Sequence, residues 1–145
     1  MTLGGVAFRV RSLGSGESFE DTMWEMEPET LFAGDVAYNG VHAYLADGQW
    51  ESWLSVLDRL ERDLPDDVAL HVGHGPAGGK ELLARQRRYI ETFVSSVQHH
   101  ADAVAAGDHD PVLADMRRLL PSEDLLFLLD LSIAPMFDMV ARDRS

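Results

Sequence analysis

Val6, Phe8 and Val10 alternate with Ala7, Arg9 and Arg11, the period of two that marks a strand with one buried face. Gly14-Ser15-Gly16 breaks this pattern as a turn. Residues 22–26 read as a second strand and Glu27-Pro28-Glu29 as a turn. Thr30-Leu31-Phe32-Ala33 reads as a short apolar third strand that ends at Gly34-Asp35. The period then changes. Trp53, Leu54, Leu57, Leu60 and Leu64 follow the three-and-four spacing of one helical face, and Pro65 with Asp66-Asp67 stops that helix. Residues 68–72 form a strand that runs into Gly73-His74-Gly75-Pro76. A long helix is predicted over about 79–106, with Gly107 as its C-terminal cap. Asp110 as N-cap and Pro111 as first helical residue predict a helix over 111–119. Ser122-Glu123-Asp124 opens a last helix over about 122–142, apolar nearly all round at residues 125–129 and interrupted by Pro135, where a kink is expected. The order β-β-β-α-β-α-α-α describes an α/β layered domain with a helical tail.

Composition narrows the classes. The chain has 145 residues, enough for about one domain. With 12 Lys+Arg against 25 Asp+Glu, its formal net charge is −13. One lysine, Lys80, and no basic run argue against a nucleic-acid partner. No apolar stretch is long enough for a membrane helix, and no leader pattern opens the sequence, so a cytoplasmic protein is expected. The lack of cysteine excludes disulfides, thiolate metal sites and cysteine nucleophiles. The charge is concentrated: residues 1–67 carry 14 acids and 4 bases, and Glu17 to Glu29 contains six acids and no base. Such a surface is either simply solvated or a field that gathers cations.

Two strand ends carry the candidate chemistry. Asp35 follows one apolar strand, and His74 follows another between two glycines. Ligands in α/β sheets collect beyond the carboxyl ends of strands, and glycine lets a backbone pass close to a ligand or a neighbouring chain. Asp and His together suit zinc or iron; they equally suit a capping carboxylate and a hydrogen-bonded turn. His42 lies in the intervening loop, as a third ligand, a substrate contact or a structural histidine. His71 falls inside a strand and reads as structural. His99, His100 and His109 read as surface, since adjacent residues on a helix point about 100° apart and chelate poorly. Arg85, Arg87 and Arg88 form the one basic cluster, either a solvated face or a contact for an anionic substrate.

Taken together, residues 31–42 (LFAGDVAYNGVH), the helix that opens with Trp50 and Trp53-Leu54, and Gly73-His74-Gly75-Pro76 resemble the second half of the metallo-β-lactamase superfamily. The resemblance covers about residues 3–95. It implies that Asp35 stands where a carboxylate bridges two metal ions, and His74 where the last metal-binding histidine stands. It implies half of an αβ/βα sandwich, with residues 1–107 as the half domain and 108–145 as a helical tail packed on it or at an interface. The departures are large. No His-x-His-x-Asp-His motif is present and no histidine precedes His42. Where the superfamily carries its middle histidine, this chain has Ser12-Leu13-Gly14-Ser15-Gly16-Glu17-Ser18, so that Glu17 is either an oxygen ligand or a surface carboxylate.

Two functional expectations follow from the resemblance. The first is a metal-dependent hydrolase, or a component of one, using zinc or iron to activate water against a small-molecule ester, thioester, lactam or phosphodiester. The second is a binding or interaction module that keeps the scaffold without a working metal site. A half sandwich leaves one sheet face open around Val6, Phe8 and Val10, and such patches mark interfaces. A homodimer, or a chain that supplies the missing half, is therefore expected, the alternative being that the C-terminal helices fold over the open face of a monomer.

Overall fold

The β-rich half of the chain builds one five-stranded sheet in the order β1-β2-β3-β4-β5. The structure is a computed structural model and describes residues 1–26 and 30–142; the turn expected at Glu27-Pro28-Glu29 lies outside the described residues. The strands are β1 (Thr2–Leu3), β2 (Val6–Gly14), β3 (Asp21–Met26), β4 (Thr30–Tyr38) and β5 (Ala69–His74). The first four pair antiparallel, and β5 joins β4 in parallel. A parallel neighbour needs a crossover, which helix α1 (Trp50–Asp63) supplies. The remaining helices are α2 (Glu81–His99), α3 (Ala101–Ala105), α4 (Asp110–Leu119) and α5 (Leu126–Arg142). The β-β-β-α-β-α order read from the sequence is thus present.

Several elements differ from expectation: β1 was not foreseen, and α5 begins at Leu126 rather than near residue 122. β4 runs on through Gly34-Asp35 to Tyr38, because β5 gives its backbone a parallel partner as far as His74. The helix expected over 79–106 divides at His100, whose backbone leaves the helical region and whose ring is held by Asp115 at 3.0 Å. Gly107 closes α3 as foreseen, with its N–H bonded to Val104 O. α4 begins at Asp110, and the carboxylate that accepts its N–H belongs to Asp108. Pro135 lies inside α5 and removes the N–H that would bond the carbonyl four residues earlier.

The chain forms two compact units. The first comprises Met1–Asn39 with Gln49–Arg87, and the second Gly40–Gly48 with Arg88–Ser145. The first unit buries one face of its sheet. Met23, Leu31 and Leu70 lie on that face, and the core adds Trp53, Leu57 and Leu60 of α1 and Leu82 and Leu83 of α2. Two bonds tie α1 to the sheet, from Trp53 Nε1 to Val36 O at 2.8 Å and from Arg59 to Leu13 O at 2.6 Å. The opposite face stays open. Phe8, Val10, Trp24, Met26, Phe32 and His71 share it by register, and Val10 (50%), Trp24 (38%) and Phe32 (39%) are exposed. The second unit has its own core, built from Tyr89, Ile90, Phe93, Val97, Met116, Leu129, Ile133 and Met136.

Candidate functional site

The first unit brings Asp35 and His74 together, and the irregular pairing of β4 with β5 is what does it. Phe32 pairs with His71, Gly34 with Val72 and Tyr38 with His74, so β4 spends six residues where β5 spends three. Bulges of this kind re-aim side chains at the rims of sheets. Asp35 leaves the ladder in the bulge, and its Oδ1 lies 3.6 Å from His74 Nε2. Both side chains are reachable from solvent, at 41% and 44% exposure.

The glycines around His74 serve this packing. A Cβ on Gly73 would overlap Asp35 Oδ1, so the carboxylate occupies the space a side chain would fill. A Cβ on Gly75 would overlap the Asn39 carbonyl oxygen, and Gly75 has φ +93°, a region that favours glycine. Asn39 closes the end of the pair: its N–H bonds His74 O at 3.0 Å and its Nδ2 bonds Pro76 O at 2.8 Å. Of the two roles open to these glycines, the geometry fills the close approach of a neighbouring segment, here β4 and Asn39 of the same chain.

Glu17 is near this end of the sheet through Tyr38. The phenol O–H donates to Glu17 Oε1 at 3.3 Å, and the Tyr38 ring stacks on His74 with centroids 5.3 Å apart and planes 18° apart. Tyr38 and Asn39 were not singled out by the sequence, since their roles depend on the cross-strand register.

His42 stands in the second unit, and its ring is fully buried. Nε2 bonds Ser122 O at 2.9 Å and Nδ1 meets Tyr89 Oη at 2.9 Å. A carbonyl only accepts, so Nε2 carries the proton and Nδ1 accepts from the phenol. Tyr89 Oη in turn accepts Ala43 N–H at 3.3 Å. Both ring nitrogens are spent, so His42 is a clasp for residues 40–48. Burial lowers its pKa, against the upward pull of the Ser122 bond and Glu123. Burial likewise pushes the Tyr89 phenol up. His100 and His109 each meet a carboxylate, Asp115 at 3.0 Å and Asp130 at 2.6 Å. Burial alone would raise the Asp115 carboxyl, but bonds from Ser96, His100 and Arg118 outweigh it and hold its pKa low. Arg87, from the basic cluster, is paired with Asp58 and Glu61.

The chemistry of the pair suits part of a metal centre. Two ligands about 2.0–2.2 Å from a tetrahedral ion stand roughly 3.4 Å apart, close to the 3.6 Å observed. One carboxylate oxygen and one imidazole nitrogen are donors for zinc or iron. The set is incomplete: among the described residues, no group of three or more His, Asp or Glu side chains is placed to hold a metal ion.

The fold built by these elements is that of the metallo-β-lactamases. A metallo-β-lactamase from Pontibacter korlensis matches 63% of the chain with a TM-score of 0.56 at 23% identity. A β-lactamase domain protein from Burkholderia ambifaria matches 98% with a TM-score of 0.61 at 18% identity. The chain spans 44% of each of those structures, as a half of the sandwich should. No protein-family model and no curated protein matches the sequence.

Proposed function

We propose that this chain supplies one half of a metal-dependent hydrolase and donates Asp35 and His74 to its metal centre. The observation that carries the reading is the placement of these two side chains, 3.6 Å apart and open to solvent, Asp35 in the bulge of β4 and His74 at the end of the adjacent parallel strand β5. Asp35 would hold the ion through its carboxylate and His74 through Nε2. When bound, the metal supplies Lewis acidity for hydrolysis of a small-molecule ester, thioester, lactam or phosphodiester. The remaining donors come from a surface that meets the open face of the sheet, on a second copy of the chain or on a chain that supplies the other half.

Hydrolysis therefore belongs to the completed site, while metal affinity belongs in part to this chain. Zinc or iron titrated into chelator-treated protein is expected to bind and to be lost in both Asp35→Ala and His74→Ala. Uptake below about 0.2 ion per chain, unchanged in both variants, overturns the reading. That result would favour a binding module that retains the scaffold alone, a second reading supported by the want of a third donor among the described residues.

A further inference from the structure

We infer that Tyr38 is a positioning residue that holds the His74 ring in the orientation from which Nε2 faces Asp35. The inference rests on the reading of Asp35 and His74 as metal donors and adds a role for a side chain that does not touch the ion.

The two residues are direct cross-strand partners where β4 returns to register with β5. Their rings lie nearly parallel, 18° apart with centroids 5.3 Å apart, an offset stack in which the edge of the phenol lies against one face of the imidazole. Tyr38 is itself firmly held. Its side chain is buried, with the residue only 6% exposed. Its backbone N–H bonds Gln86 Oε1 at 3.0 Å and its O–H bonds Glu17 Oε1 at 3.3 Å. Its ring also leans on Trp53 at 6.4 Å, and the Trp53 indole is pinned to Val36 O. A fixed plate thus lies against a half-exposed ring.

An unsupported surface histidine samples several rotamers, and only some aim Nε2 at Oδ1 of Asp35. Selecting one of them on binding costs affinity, whereas a ring already held does not incur that cost. Stacking does this without occupying either ring nitrogen, which distinguishes it from a hydrogen-bonded orienting partner. Glu17 then acts on the plate: its carboxylate fixes the phenol.

The test has two arms. In the metal-free wild-type chain, NMR should show cross-peaks between the His74 Cδ2 and Cε1 protons and the Tyr38 ring, with an upfield ring-current shift of those histidine protons. Averaged His74 rotamers without such contacts overturn the inference, and this arm needs neither a variant nor a metal. In the second arm, Co(II) alone is titrated while its d–d spectrum is followed. Tyr38→Phe keeps the plate and should bind within about 3-fold of wild type, while Tyr38→Leu should lose about 10-fold or more and alter the spectrum. A folded Tyr38→Leu chain that binds Co(II) as tightly as wild type overturns the inference. If the ring contacts are present but wild type takes up no Co(II), the metal reading fails and the ring placement stands.

Discussion

At Gly73 the bare Cα is what lets the Asp35 carboxylate lie beside His74, since a Cβ there would overlap Oδ1. The nearest obstructing atoms end a side chain that can swing away, and the Gly34 backbone carbon at 3.1 Å need give by only a few tenths of an ångström, so Gly73→Ala should fold and melt within about 4 °C of wild type. It should nevertheless lose metal binding as completely as Asp35→Ala, which calorimetric titration would show. At Gly75 the obstruction is the Asn39 carbonyl and φ is +93°. Neither backbone strand can yield cheaply, so Gly75→Ala should lower stability by about 1–3 kcal/mol in urea unfolding. An alanine at Gly73 that binds metal normally would refute the assignment of that glycine to the site. Asp35 and His74 were legible in the sequence because each follows an apolar run, although Asp35 proves to lie in a bulge inside β4 and only His74 ends its strand. Tyr38 and Asn39 were not. Their roles come from a bulge that places Tyr38 opposite His74, and a bulge leaves no periodic trace in one strand alone.

Among the elements, those with a clear period were legible: α1, with its apolar face at Trp53, Leu57 and Leu60, and β2, with its alternation. The extent of β4 and the break at His100 depend on partners far along the chain, β5 and Asp115. The segment Gly40–Gly48 is the strongest such case. It has no regular structure, yet it is fixed within the second unit by His42 to Ser122 and Tyr89 and by Leu45 N–H to Ser132 Oγ at 2.9 Å. Its histidine is buried and its pKa lies below the ordinary 6.5. The fold therefore prefers neutral His42, while the unfolded chain takes up a proton near pH 6.5. This contribution to stability is full above that pH, is lost as pH falls from there through the lower folded pKa, and levels off beneath it. Urea midpoints measured from pH 7.5 to 5 should fall in wild type, and His42→Gln should be less stable at pH 7.5 and show a shallower fall. Equal slopes would mean that another group governs the acid limb.

For the molecule as a whole, charge and the open sheet face pull in opposite directions. A net charge of −13 opposes association of like chains. Among the described residues that share the face of Phe8, Val10, Trp24, Met26 and Phe32, none but His71 can carry a charge, and the Glu20 carboxylate reaches only the margin of that face, at Ser12. The centre of the face is therefore a surface on which two copies can meet with few carboxylates in contact. Four strands about 4.8 Å apart and some six residues long present roughly 400 Å² in projection. Two rough faces of that size bury on the order of 1,000 Å², the lower end for a specific interface. Trp24 and Phe32 lie at its centre, paired across β3 and β4, where aromatic anchors contribute most. Sedimentation of the wild-type chain at micromolar concentration should show a dimer. The dimer should tighten from low to physiological salt, because screening relieves the repulsion of two −13 bodies while apolar contact is unharmed. Trp24→Glu should sediment as a monomer with an unchanged far-UV spectrum. A partner of opposite charge would show the reverse salt dependence, weakening as salt rises. A wild-type chain that stays monomeric at every salt concentration would rule out the second copy and leave a separate chain as the source of the remaining donors.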